Sequence, residues 1–300
     1  MGRKKLSNKE ENKKISERKL VVAKRDDMLQ QSRHTLTVEE YRCVTYVLSK
    51  IKPTDTEFTE YVFDFKDFYS LCGKEEVSYY NLKKVLQRIS DKSWYLKKDG
   101  QEVLVRWFAK VKLDPKKRKA YILLDNDLMP FLLELAKQQQ ENNVFFTQFN
   151  LNVVLPMKSQ YSSRLYEVLK SYQKNNDEWY FETEELKYLL NCQNYKNWKD
   201  FRVRALEPAI EEINTFGDIK VGYSTELKGR KVVRVIFFMA KKNKEALYKA
   251  QSNINKVLEG ETFEERNERI IKAAEENLKN KGFVDDRSKF FSENKNEIEQ

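Results

Sequence analysis

The sequence predicts an α+β protein in which one unit of secondary structure is used twice, between a basic N-terminal arm and a partly helical C-terminal tail. Three observations predict it: a helical apolar spacing that recurs, a short alternating strand that follows it each time, and a cation-rich turn that closes each half.

Thr37-x-x-Glu40 opens the first helix with a capping-box pattern, in which each side chain satisfies the other's backbone N–H. Val44, Val47, Leu48 and Ile51 then fall at i, i+3, i+4 and i+7, and Leu165, Val168, Leu169 and Tyr172 repeat that spacing 121 positions later. Next come the alternating strands YVFDF at 61–65 and WYFET at 179–183, each running into a short helix, KDFYSLC at 66–72 and EELKYLL at 184–190. A third helix carries Leu82, Val85, Leu86 and Ile89 in one half, and Leu206, Ala209, Ile210 and Ile213 in the other. Each half closes on a hairpin, with strands near 101–113 and 119–124 around DPKKRK, and strands near 218–225 and 231–239 around LKGRK. Two short helices joined by a tight turn and backed by a hairpin describe a winged helix, whose third helix can enter a major groove. The alternative is a pair of unrelated α+β domains; matches in the same order at offsets of 121, 118 and 124 favour tandem winged-helix domains. The expected division is a flexible basic arm over 1–19, a first winged helix over 20–140, a second over 141–240 and a charged tail over 241–300, in which Ile270, Ile271, Ala274 and Leu278 suggest an amphipathic helix.

The net charge of +10 is a weak pointer to nucleic acid, because residues 1–25 hold +7 of it and residues 241–300 none. Within the body, charge clusters: 110–119 carries +5 and 192–204 carries +3, while 177–185 and 207–212 are acidic. Cys43, Cys72 and Cys192 are scattered and odd in number, as expected of reduced thiols. No apolar run approaches the ~20 residues of a membrane span, and the basic N-terminus has no apolar stretch behind it, so no membrane and a cytoplasmic location are expected. The lone histidine, His34, makes no metal cluster, and Gly73-Lys74 is followed by Glu75, which breaks the phosphate-loop pattern. No enzyme activity, metal or cofactor is expected. Phe63, Phe65, Phe68, Trp94, Trp107 and Phe108 fall in strand or core patterns and read as packing.

Between the second helix and the apolar face of the third, the second half is six residues longer, which as helix adds about 9 Å. The longer connection contains YKNWKDFRVR at 195–204, which holds Lys196, Asn197, Lys199, Arg202 and Arg204; arginine reads guanine and asparagine reads adenine through paired hydrogen bonds. A solvated basic face is the alternative for so short a run, and its place in the repeat favours base reading. Ser78, Asn81, Lys83, Lys84 and Arg88 occupy the corresponding helix of the first half. Lys116, Lys117, Arg118 and Lys119 in one hairpin turn, and Lys228, Arg230 and Lys231 in the other, suit phosphates or a minor groove. Ser159, Tyr161, Ser162 and Arg164 begin the first helix of the second half, where hydroxyls, backbone N–H groups and a guanidinium could clamp a phosphate; a plain N-cap by Ser159 explains that serine equally well.

LVVAKRDDMLQQSRHTLTVEEYRCVTYVLSKI, then MKSQYSSRLYEVLKSY, FRVRALEPAIEEIN and GRKVVRVIFF, resemble in order and spacing the iteron-binding plasmid replication initiators with two winged helices. The resemblance covers roughly 20–240. It implies double-stranded DNA as partner, at direct repeats in a plasmid origin, with opening of nearby A·T-rich DNA and recruitment of host replication proteins. It also implies a monomer that initiates and a dimer, joined through the first domain, that represses its own promoter. On that likeness the second domain is the main reader, through Lys199, Arg202 and Arg204 with Ser159 and Arg164 near the backbone, and the first supplies dimerisation and auxiliary DNA contact. Two other readings stand beside it: a winged-helix transcriptional repressor without a replication role, and a protein-assembly module whose basic surface is incidental.

Overall fold

A computed structural model describes residues 20–74, 77–98, 100–174 and 176–258; the arm 1–19 and the apolar pattern at Ile270, Ile271, Ala274 and Leu278 lie outside them. The described residues form two compact units, 20–28, 34–156 and 254–258 in the first, 29–33 and 157–253 in the second.

The first unit begins with β1 (Val21–Arg25), which runs into α1 (Asp26–Gln31). Then α2 (Val38–Leu48) opens on the predicted capping box, with Glu40 N–H donating to Thr37 Oγ1 and Thr37 N–H to Glu40 Oε2. β2 (Tyr61–Asp64) leads into α3 (Phe65–Leu71), capped by Asp64, and α4 (Tyr79–Asp91) is capped by Ser78. The stretch 101–113, expected as one strand, is two. β3 (Ser93–Lys98) and β4 (Gln101–Arg106) make a hairpin of their own, and β5 (Phe108–Asp114) pairs instead with β6 (Lys119–Leu124). The break falls at Trp107, whose buried indole lies 5.2 Å from the Trp94 ring and 5.4 Å from His34. Burying it takes the chain off one ladder and onto another. His34 thus sits in an aromatic cluster.

After β6 come α5 (Met129–Leu132), α6 (Leu135–Asn142), β7 (Phe146–Asn150) and α7 (Leu151–Val154). β7 pairs antiparallel with β1, Val21 opposite Asn150, and the Thr147 hydroxyl donates to the Asp26 carboxylate at 2.6 Å. The compact units consequently divide after Pro156, and not after residue 140 as the sequence suggested.

The second unit runs α8 (Ser162–Gln173), β8 (Glu178–Glu182), α9 (Thr183–Leu189), α10 (Trp198–Phe201), a π-turn over Arg202–Leu206, α11 (Glu207–Phe216), β9 (Ile219–Lys228), β10 (Lys231–Lys241) and the part of α12 (Lys244–Leu258) up to Asn253. Its sheet has the order β8-β10-β9, and the first unit's has β2-β6-β5. In both, the strand that feeds the second helix lies against the second strand of the hairpin, so both units are winged helices. The apolar spacings that predicted them are their cores: Val44, Val47, Leu48, Leu82, Val85, Leu86 and Ile89 in one, Leu165, Val168, Leu169, Leu206, Ala209, Ile210 and Ile213 in the other, are all buried. Each such Leu or Ile contributes roughly 2 kcal/mol by leaving water. Ile51 alone falls outside its helix, past the Ser49 cap. No described helix is long and apolar enough to cross a membrane.

Candidate nucleic-acid interface

The third helix of the second unit is continuous from Trp198 to Phe216 with one π-turn in it. Pro208 accounts for that turn. It has no N–H to donate to the Arg204 carbonyl four residues back, so the ladder loosens, and Glu207 N–H reaches Arg202 O, five back. Around the widened turn Arg202, Val203 and Arg204 are exposed in succession, over buried Phe201, Ala205 and Leu206. Leu206 is the ninth residue of this helix, whereas Leu82 is the fourth of α4. Five of the six extra residues therefore lengthen the helix, by about 7.5 Å. The sixth lengthens the preceding turn, 190–197 against 72–78.

Lys196 and Lys199 are exposed and make no ion pair with a described residue. Arg204 Nε lies 3.8 Å from Asp200 and Arg202 Nε 3.7 Å from Glu207, loose exposed pairs of the kind worth about 0–1 kcal/mol. Such pairs exchange readily for a nucleic-acid acceptor. Glu207 also accepts the Tyr223 hydroxyl of β9 at 3.3 Å, which ties this helix to the hairpin. Asn197 is a correction: its side-chain oxygen accepts Asp200 N–H at 2.8 Å and its amide donates to the Asp200 carboxylate at 2.7 Å, so it caps the helix and has no free edge for adenine.

The hairpin of this unit continues past its third strand. The last three-strand rung is Glu182–Arg234–Glu226, with Arg234 paired to both carboxylates. Beyond it Val233 bulges out, Leu227 pairs with Val232, Lys228 pairs with Lys231, and the Thr183 hydroxyl holds Val232 O at 3.1 Å. Gly229 turns the chain at φ +63°, a left-handed conformation that L side chains adopt only with strain. Lys228, Arg230 and Lys231 are exposed.

In the first unit the outermost rung, Asp64–Lys119–Asp114, already includes the third strand. Two of its cations are matched, Lys119 Nζ lying 3.3 Å from Asp64 and Lys117 Nζ 3.6 Å from Asp114; Arg118, at φ +51°, accepts Phe65 N–H on its carbonyl, and its exposed guanidinium makes no ion pair with a described residue. Lys116 is exposed. On α4, Ser78 Oγ accepts Asn81 N–H at 3.3 Å as a cap, and Asn81, Lys83 and Lys84 are exposed, Lys84 over the Tyr80 ring. Arg88 is a second correction. Its Nε donates to Glu40 at 3.2 Å, where Lys92 also binds, so it fastens α4 to the start of α2. Burial pushes the Glu40 carboxyl up, but the bonds from Lys92, Thr37 N–H and Arg88 outweigh that and hold it below its ordinary value.

The expected phosphate clamp at the start of α8 does not form. Arg164 is 6% exposed and donates to the Ser32 carbonyl. Tyr161 is 7% exposed with its hydroxyl 3.4 Å from that of Tyr195, and burial raises its phenol far above the usual range. Ser162 is buried, and Ser159 Oγ accepts Tyr161 N–H at 3.2 Å. The N–H groups of Lys158 and Ser159 are both taken by the Glu212 carboxylate, at 2.9–3.0 Å. An internal anion fills the place predicted for a phosphate.

Residues that the sequence did not single out brace this helix. Lys242 Nζ donates to the carbonyls of Asn214 and Gly217 at 2.6 and 2.7 Å, closing the C-terminus of α11; burial lowers its pKa to about 8. Arg33 binds Asn191 and Gln193 in the turn before the helix. A lysine or arginine this far along the chain from its acceptors leaves no periodic signal.

The chain matches the family model described as Initiator Replication protein, WH1, over residues 21–170, and that described as Initiator Rep protein, WH2, over residues 182–239. Among solved structures it is similar to the Pi initiator protein in complex with iteron DNA, at 21% identity and a TM-score of 0.59, over 75% of this chain and 99% of that one. A lesser likeness, at 16% identity and a TM-score of 0.37 over 73% of this chain and 82% of the other, is to domains 2 and 3 of RctB.

Proposed function

This chain belongs to the initiator replication protein family, and on that premise we propose that it starts plasmid replication by binding repeated duplex sites at the origin, as iteron DNA is bound in the complex of the similar Pi initiator. The second winged helix is the main reader. Arg202 and Arg204 address base edges in the major groove, Lys196 and Lys199 meet phosphates, and Lys228 and Arg230 hold the adjoining backbone. The first winged helix adds weaker contacts through Asn81, Lys83, Lys84 and Lys116. It also carries self-association; host replication proteins are the remaining partners. The role is binding and distortion of DNA, without a covalent step.

The observation that carries this reading is the succession Arg202–Val203–Arg204, held outward at the π-turn of a helix that is braced at its start, at Glu207 and at its end. Footprinting on the DNA adjoining the gene tests it, with protection of tandem direct repeats expected. A plasmid carrying those repeats and the gene should then replicate in a suitable host. Protection without replication would leave a repressor, and no sequence-specific protection would leave an assembly module.

A further inference from the structure

Leu227 is 60% exposed on the part of the β9–β10 ribbon that extends about 7 Å past the third strand. Single exposed leucines are ordinary on protein surfaces. This one differs in what surrounds it. Lys228 and Lys231 stand directly opposite each other in the last pair, with Arg230 in the turn, and none of the three is matched by a described carboxylate. Like charges directly opposite across a ladder repel, a cost that an anionic partner at the tip would relieve. The first unit's hairpin tip, by contrast, alternates Asp64, Lys119 and Asp114.

The face on which Leu227 lies is also set. Along β9, Tyr223, Thr225 and Leu227 share one side, and Tyr223 is the residue that bonds Glu207 of the reading helix. The bulge at Val233 adds local twist to the ribbon, and the Thr183 hydroxyl fixes the bulged strand at Val232 O. Val232, opposite Leu227, is 8% exposed, so of this apolar pair only the leucine is presented outward. An apolar side chain, flanked by cations, on the tip of a ribbon anchored to a major-groove reader matches the chemistry of a minor-groove wedge.

We propose that Leu227 enters the minor groove beside the site read by Arg202 and Arg204 and parts one base step there, bending the duplex. This rests on the DNA-binding reading above. The wedge would make the hairpin of the second unit a device for deforming DNA as well as for holding it, and would concentrate strain next to the bound repeat. A flexible pyrimidine–purine step is the chemistry that yields most readily to it.

The test uses the full chain and a duplex that it recovers from a randomised pool, with 2-aminopurine placed at successive steps alongside the wing, and circular permutation to report bending. The wild-type chain should raise 2-aminopurine emission several-fold at a single step. Leu227→Ser should abolish that rise and reduce the bend while weakening affinity by less than about tenfold, since cations carry most of the hold. Leu227→Met, apolar and unbranched, should keep both signals, and an unchanged melting temperature should accompany both variants of this exposed position. Equal unstacking and bending by wild type and Leu227→Ser, or silent emission in both, would overturn the wedge and leave the reader standing. Recovery of no duplex at all by the wild-type chain would overturn the reader, and the wedge with it.

Discussion

Glu212 in the second winged helix stands where Arg88 stands in the first, 124 residues on, the same offset that separates Leu82 from Leu206. Both fasten the third helix to the start of the first helix, with opposite charges. Arg88 does so through Glu40, a carboxylate of α2 that already accepts Thr37 N–H; Glu212 brings its own carboxylate to Lys158 and Ser159 N–H, just ahead of α8. The problem solved is the same, since the opening turn of a helix leaves N–H groups without partners and a carboxylate satisfies them. This position is therefore spent inside each unit, whatever its charge. Chemistry for a partner must come from residues nearer the N-terminus of the third helix, where the second unit has fourteen helical residues ahead of Glu212 and the first has nine ahead of Arg88. Its hairpin also outruns its third strand, while that of the first unit stops level with it.

The sharpest way to break the comparison is to remove the carboxylate from each unit. Glu40→Ala should cost about 3 kcal/mol, the low end for breaking a buried ion pair, because Arg88 and Lys92 keep partial access to water. Chemical denaturation of the two variants measures this. Glu212→Ala should cost only about 1 kcal/mol, because it strips a hydrogen-bonded cap and strands no cation; Lys158 N–H can turn to water. The Glu40 contribution should also depend on pH in one direction. Its folded carboxyl titrates below the 4.5 of the free group, so its stabilisation is complete above that value and fades as pH falls through the lower, folded one. Equal losses in the two units, or a Glu40→Ala deficit that does not narrow in acid, would mean that the ion cluster does not fasten α4.

Next in size is the loss of base reading. Arg202→Ala and Arg204→Ala should each weaken the preferred duplex by about 1–3 kcal/mol, relax selection at separate base positions, and leave random duplex nearly unaffected. Lys84→Ala on α4 should change preferred and random duplex alike, and by less. Competition binding with singly substituted sites separates these patterns. A loss of selectivity on Lys84→Ala as large as on Arg204→Ala would put the reader in the wrong unit.

Periodicity made the scaffold legible. The spacings of Val44 to Leu48, Leu82 to Ile89, Leu165 to Leu169 and Leu206 to Ile213 are core faces in the structure because a helix with one apolar stripe has a single way to bury it. Strand boundaries were less legible: QEVLVRWFAKVKL reads as one continuous β stretch, and only the burial of Trp107 between Trp94 and His34 divides it. The candidate site was legible as a stretch of exposed helix but not as a set of side-chain contacts. Lys199, Arg202 and Arg204 are on the expected exposed turns, whereas Asn197 caps, Arg88 and Arg164 fasten elements together, and Tyr161 is buried. A charged or hydroxylated side chain carries the same letter whether its partner is a phosphate or an acceptor 132 residues away, as Ser32 is for Arg164. Composition cannot distinguish the two.

The smallest effects compare the two hairpins. Each cation that neutralises a phosphate releases counterions, and its removal lowers the slope of log K against log salt by about 0.9 for duplex DNA. Lys228 is exposed opposite Lys231, so Lys228→Ala should flatten the slope by nearly that amount and weaken all duplexes about equally. Lys117 is held to Asp114 through both its backbone N–H and its ammonium, so part of its charge is already balanced within the protein. Lys117→Ala should therefore shift the slope by distinctly less, and Asp114→Asn, which frees the ammonium, should steepen it. Titration at several salt concentrations of wild type and the three variants decides this. If Lys117 and Lys228 give the same change in slope and Asp114→Asn gives none, then pairing at the first tip does not matter to binding. The difference between the two hairpins would then reduce to their reach.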